Sequence, residues 1–195
     1  MVVIKEEIRA HVVRVARVIF TRNGFKKTTM EEIAAASRKG KSSIYYYFQS
    51  KEQIFRAVVE KEAEELKERL GRTIRKDDSA SERLKSYMLF RLHHVRLVEN
   101  FYAALNEEAL SHMDFILDMR RTYDLEERQV VREILEDGMQ EGSFQISSSE
   151  IGAIAISTMM KGLELPLLTS DEYKTDREEL LEDLIRVLFY GIIKR

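Results

Sequence analysis

Apolar positions recur every three or four residues along most of this chain. In the first stretch Ile4, Ile8, Val12, Val15, Ala16 and Ile19 share one stripe that stops at Asn23-Gly24. That is the spacing of an amphipathic helix ended by a turn. Read the same way throughout, the pattern predicts helices over roughly 4–22, 29–37, 42–48, 50–71, 80–105, 107–120, 122–140, 148–168 and 175–194. Capping boxes mark five of the starts: Thr29/Glu32 (or Thr28/Glu31), Ser50/Gln53, Ser79/Glu82, Ser147/Glu150 and Thr175/Glu178. In each, the Ser or Thr side chain accepts an orphan amide of the first turn, and the Glu or Gln reaches back to the cap amide. The polar run RKDDSAS, 75–81, is the expected hinge between a head and a body.

Composition narrows the fold class to all-α. One proline and eight glycines in 195 residues leave few chain breakers, and 44% hydrophobic with 34% charged residues describes a folded, soluble chain. There is no cysteine, so disulfides and thiolate metal sites are excluded. The start is charged and amphipathic, without the apolar core of a signal peptide, and no charge-free run is long enough to span a bilayer. A cytoplasmic protein with no membrane partner is expected. The net charge of −2 hides an asymmetry: residues 1–51 hold eleven Lys/Arg against four Asp/Glu, a balance of +7, and the remainder balances at −9. A basic head on an acidic body points to a polyanion meeting the head.

Within the head, TTMEEIAAAS, RKG and KSSIYYYF read as two short helices joined by a tight turn, a helix-turn-helix. Ile33 and Ala34 face inward on the first, Ile44 and Phe48 on the second. Lys41, Ser42, Ser43, Tyr45, Tyr46 and Tyr47 are then left around the exposed faces. A core cannot take three phenols, and hydroxyls with one lysine suit phosphate oxygens.

The stretch IAAASRKGKSSIYYYFQSKEQIF resembles the DNA-binding signature of the TetR/AcrR family of bacterial transcriptional regulators. The matching positions are Ile33, Ala34, Lys41, Ser43, Ile44, Tyr45, Tyr47, Phe48, Ser50, Lys51 and Glu52. Upstream, Phe20, Gly24, Phe25, Thr28 and Thr29 match as well. Specific similarity covers about residues 4–60. Beyond it, only length and helical character agree. One departure stands in the turn, where Arg38-Lys39 replace the family's usual Gly-Val. The resemblance implies an all-α protein of about nine helices. Its parts would be a three-helix DNA-binding domain over 1–51, a connecting helix over 50–71, and a ligand-binding and dimerisation domain over 52–195. It makes Lys41, Ser42 and Ser43 the groove-entering start of the recognition helix and Tyr45, Tyr46 and Tyr47 phosphate or base-edge contacts. Thr29 and Lys51 become backbone clamps. Double-stranded DNA, a second copy joined through the last two helices, and a small, mostly apolar effector are the implied partners. No cofactor and no metal are implied.

In the body, Leu84, Met88, Arg91, Val95, Val98, Tyr102 and Leu105 form a stripe that Arg91 interrupts, with Tyr87, His94 and Phe101 beside it. Arg91 either pairs with an acid such as Glu107 or Glu108, or reaches the surface, or clamps the anionic end of an apolar ligand. Tyr87, Met88, Arg91, His94, Phe101, Met119, Met159 and Met160 are the candidate ligand contacts, although methionines are equally plain core filler. Segment 148–168 carries two apolar stripes, one of Ile151, Ile154, Ala155, Thr158 and Gly162, the other of Ile156, Met160, Leu163 and Leu167. The last helix carries two as well. A helix apolar on two faces needs a second partner, either a second copy or a thicker core.

Enzyme readings find no support. His93 and His94 are adjacent, about 100° apart on a helix, and make no metal pair. There is no phosphate-binding glycine loop. A ligand-gated repressor remains, alongside a helical interaction or small-molecule-binding protein whose head has lost specific DNA binding.

Overall fold

The computed structural model describes residues 2–100, 103, 114–169 and 177–190. Among them the fold is all-α, with eight α-helices, one 3₁₀ turn and no strand. These are α1 (Val2–Lys27), α2 (Met30–Ala36), α3 (Lys41–Tyr47), α4 (Lys51–Thr73), α5 (Ala80–His93), a 3₁₀ turn (Val95–Val98), α6 (Asp114–Gln140), α7 (Ser149–Thr169) and α8 (Arg177–Tyr190).

Most starts follow the capping signals. Thr29, rather than Thr28, caps α2 in a complete box with Glu32, and Ser79 caps α5 with Glu82. Ser50 Oγ accepts from the Gln53 amide at 3.3 Å, but the Gln53 side chain bonds the Gln49 amide, so that box is open. At α7 the cap is Ser148, whose hydroxyl accepts from Ile151 N at 3.3 Å, one residue later than expected. Thr175 lies outside the described residues. Gly24, at φ 76° and ψ 167°, breaks the helical geometry of α1 where Asn23-Gly24 predicted an end.

Two expectations fail. The helix expected over 80–105 stops at His93. There His93 Nδ1 donates to Leu89 O at 2.8 Å and His94 Nδ1 to Phe90 O at 3.0 Å. These side chains compete with backbone amides for the last carbonyls, and the chain tightens into the 3₁₀ turn. The even stripe from Leu84 to Leu105 is therefore cut after Arg91, and Phe101 lies outside the described residues. The break expected near residue 121 is absent, because α6 runs unbroken through Arg121-Thr122. A lone threonine costs a helix only a few tenths of a kcal/mol, about 0.7 at most.

The chain divides into two compact units, Met1–Glu65 with Val98–Asp118, and Leu66–Leu97 with Met119–Arg195. The division falls inside α4. The polar run 75–81, expected as the hinge, is a turn within the second unit, closed by Asp78 N donating to Arg75 O at 3.2 Å.

In the first unit, Val12, Ala16 and Phe20 of α1, Ile33 of α2, Ile44 of α3 and Ile54, Phe55 and Val58 of α4 are all buried. Phe55 stands edge-on to Phe20, with centroids 5.0 Å apart, and to Phe25 at 5.2 Å. Burying each such side chain is worth about 1.5–3 kcal/mol. A polar knot lies in the same unit. Glu62 is fully buried and receives Arg17 Nε at 3.2 Å and Asn100 Nδ2 at 2.6 Å, while Arg17 Nη1 reaches Glu65 at 2.8 Å. A buried carboxylate persists only with such partners.

The second unit is built around Leu84, Tyr87, Met88 and Leu92 of α5, Val131, Ile134 and Leu135 of α6, Ala153, Ile156 and Met160 of α7, and Ile185 of α8. Phe144, after α6, lies so close to Gly138 that a Cβ there would stand 2.2 Å from its ring.

Candidate nucleic-acid interface

The surface of α3 follows from its seven residues. In α3, Ile44 and the following Phe48 are 1% and 2% exposed, which anchors one side of the helix. A turn of about 100° per residue then lays three rows of neighbours around the rest: Lys41 with Tyr45, Ser42 with Tyr46, Ser43 with Tyr47. Tyr46 is 64% exposed and Tyr45 42%. Ser42 and Lys41 are exposed, while Ser43 and Tyr47 are half-buried. Six of the eight expected residues thus share one short helix, four of them exposed, while Thr29 and Lys51 lie outside it. Gly40 caps it without any side-chain bond.

The turn before α3 explains the Arg38-Lys39 departure. Arg38 sits at φ 52°, the left-handed region that glycine enters without penalty. Lys39 N donates to Ala34 O at 3.0 Å and Arg38 N to Ala35 O at 3.1 Å. These two bonds are a Schellman closure of α2, with Arg38 in glycine's place and exposed Arg38 and half-buried Lys39 adding two charges beside the helix.

The charges near α3 are partly engaged. Lys41 pairs with Glu31 of α2, and their bond holds the Lys41 ammonium above its ordinary range and the Glu31 carboxyl below its own. Lys51, expected as a backbone clamp, closes the link between α1 and α2. Its Nζ donates to Phe25 O at 2.7 Å and Thr28 O at 2.9 Å, and lies 4.2 Å from the Phe25 ring centroid. Orphan carbonyls at a helix end attract such a cation. The Thr29 hydroxyl serves the α2 cap, accepting from Glu32 N at 3.2 Å.

Two residues absent from the expected set stand beside the tyrosines. Lys5 of α1 donates to the Tyr46 hydroxyl and lies 4.8 Å from the Tyr46 ring centroid. Arg9 lies over the Phe48 ring at 5.1 Å. The only sequence signal was a pair of cations spaced i,i+4 on an otherwise ordinary helix.

In the second unit the candidate ligand contacts separate. Tyr87, Met88 and Met160 share the buried core. Arg91 Nη1 lies 3.0 Å from Glu127 Oε1, and Glu127 also accepts the Tyr87 hydroxyl and faces Lys161 Nζ at 3.7 Å. The acid beside Arg91 is thus Glu127. Glu107 and Glu108 lie outside the described residues, as does the Met119 side chain. His94 stacks on Phe90 at 4.3 Å, and Met159 is 38% exposed on the other side of α7. Among the described residues no helix is long and apolar enough to cross a membrane, and no group of His, Cys, Asp and Glu could hold a metal ion.

Residues 12–58 match the family model described as bacterial regulatory proteins, tetR family. The HTH-type transcriptional regulator YfiR of Bacillus subtilis is 26% identical over 190 residues, covering 91% of this chain and 88% of that one. A protein from Saccharomonospora viridis, solved in complex with choline, superposes with a TM-score of 0.83 at 17% identity, over 97% of this chain and all of that one. AibR, solved with isovaleryl coenzyme A and operator DNA, superposes with a TM-score of 0.72 at 19% identity, over 93% of this chain and 98% of that one. The head, with α2 and α3 folded and presented as described, is thus similar to the tetR-family DNA-binding module over residues 12–58, and the chain shares its all-α fold with these solved proteins.

Proposed function

We propose that this protein is a homodimeric repressor that binds a near-palindromic operator and is released by a small, mostly apolar effector. The observation that carries the reading is the α3 surface. A seven-residue helix anchored by Ile44 and the following Phe48 presents Lys41, Ser42, Tyr45 and Tyr46 outward, with Ser43 and Tyr47 half-buried beside them, from a head of charge +7. Hydroxyls and cations on a short helix suit phosphates and groove edges. Two-fold assembly draws on α7, where Ile151 and Ile154 are 66% and 43% exposed and Ala155, Thr158 and Gly162 continue the same outward stripe. A second copy presenting the same stripe is the occupant a two-fold axis would supply.

Effector binding is assigned to the second unit, around Tyr87, Met88 and Met160. Two similar folds were solved with choline and with isovaleryl coenzyme A, the latter on operator DNA. Arg91 is held by Glu127, so an anionic effector has to displace that carboxylate, whereas an uncharged one does not. Effector binding must favour one arrangement of the two heads over the other, and a ~100-fold loss of DNA affinity needs about 2.7 kcal/mol of coupling.

Footprinting of the DNA upstream of its own coding sequence tests this. A two-fold protected region is expected, with half-sites about 34–36 Å apart or a multiple of that. An asymmetric single half-site occupied by a monomer would overturn the dimer reading. Absence of any specific footprint would leave a ligand-binding protein whose head has lost its operator.

A further inference from the structure

The recognition helix is short of free cations. Its lysine, Lys41, is tied to Glu31, and the rest of its outward surface is hydroxyls. Lys5 and Arg9, one turn apart on α1, flank its other edge and are both exposed. Each is held in place by α3 without being neutralised. Lys5 is bound through the Tyr46 hydroxyl and ring. The Arg9 guanidinium carbon stands over the Phe48 ring, 5.1 Å from its centroid and within cation–π reach, and no acid pairs with either among the described residues. Arg9 also lines an open cleft of about 250 Å³ with Tyr47, Gln53 and Arg56. The acid in that cleft, Glu60, is paired with Arg56 at 2.9 Å.

An aromatic contact orders a guanidinium while leaving its donors free, and a phenol hydroxyl orders an ammonium while engaging one of its three donors. Lys5 and Arg9 are therefore two pre-positioned cations beside a row of tyrosines. We infer that Lys5 and Arg9 form a second row of phosphate contacts alongside α3, so that α1 carries part of the DNA interface and Tyr46 acts by positioning Lys5. This rests on the DNA-binding reading of the head and adds to it a polyanion site on a helix outside the helix-turn-helix.

The test is fluorescence anisotropy of the full chain on its footprinted duplex across a salt series. Lys5→Ala and Arg9→Met are each expected to weaken binding on specific and random duplex alike, and to reduce the slope of log K against log salt by about 0.9. Arg9→Met keeps apolar cover on Phe48, so a fold defect does not mimic the loss, and Arg9→Lys should retain the slope. The exposed Lys85→Ala, in the second unit, controls for net charge and should leave the slope unchanged. In a double-mutant cycle, Tyr46→Phe and Lys5→Ala should be non-additive, because the hydroxyl works through the ammonium. Slopes for Lys5→Ala and Arg9→Met no smaller than for Lys85→Ala would overturn the inference while leaving the DNA-binding reading intact. A wild-type chain with no salt-dependent duplex binding would defeat that reading itself.

Discussion

At the scale of single residues, Arg38 shows how one side chain serves two ends that oppose each other. Its φ of 52° strains the closure of α2, and glycine would enter that region freely. Arg38→Gly should therefore stabilise the chain by about 0.5–1 kcal/mol, net of the entropy glycine adds to the unfolded state. Urea unfolding measures it, and a midpoint lowered by the substitution would refute the strain argument. The same change should weaken DNA binding, because a cation leaves the approach to α3. Glu31 makes the converse case. It holds Lys41 and sets a carboxylate beside the expected phosphates. Glu31→Gln should raise affinity for duplex DNA several-fold, within the ~1 kcal/mol typical of an exposed charge pair, and steepen the salt dependence. Unchanged or weaker binding would show that Glu31 orients Lys41 for contact.

Elements are held by caps and by one buried knot. At the start of α5 the Glu82 carboxyl is held below its ordinary 4.5 by bonds from the Ser79 hydroxyl and then from the Ser79 amide. A depressed folded value contributes stability above the ordinary value and loses it as pH falls through the lowered one. The difference in melting temperature between wild type and Glu82→Ala should hold from neutral pH to about 5 and close below that. A gap that widened on acidification would contradict the cap assignment. Asn100 ties the chain after the 3₁₀ turn to α1 and α4 through Thr21 and the buried Glu62. Asn100→Ala leaves Glu62 short of a donor and should cost about 1–3 kcal/mol in urea unfolding. A neutral result would mean that water or Arg17 takes over the lost bond.

For the whole molecule, the open question is what covers the outward stripe of α7. Ile151 and Ile154 are the exposed part of a helix whose opposite side, Ala153, Ile156 and Met160, is already buried. Ile154→Glu should turn a dimer into a monomer by sedimentation, since two carboxylates would face each other across a two-fold axis. Operator affinity should fall with it, as the two half-sites would no longer be held by one particle. A variant that remained dimeric would move the interface elsewhere.

The sequence by itself determined the all-α class, most helix starts and the hydroxyl-rich exposed face of α3. These are local matters: a 3.6-residue period, a side chain bonding an amide three residues on, and an i,i+4 pair that buries Ile44 and Phe48 and so forces the tyrosines outward. It also marked Arg38 as out of place, though not why, because a left-handed backbone angle becomes visible only once α2 is closed. What the tertiary structure decided was pairing. Lys51 goes to the carbonyls of Phe25 and Thr28, Arg91 to Glu127, Lys41 to Glu31 and Lys5 to Tyr46. These partners lie between ten and some forty residues apart. Periodicity tells which face of a helix a residue occupies, but an ion pair depends on which faces of two helices meet, and that is set by how the apolar stripes pack against one another.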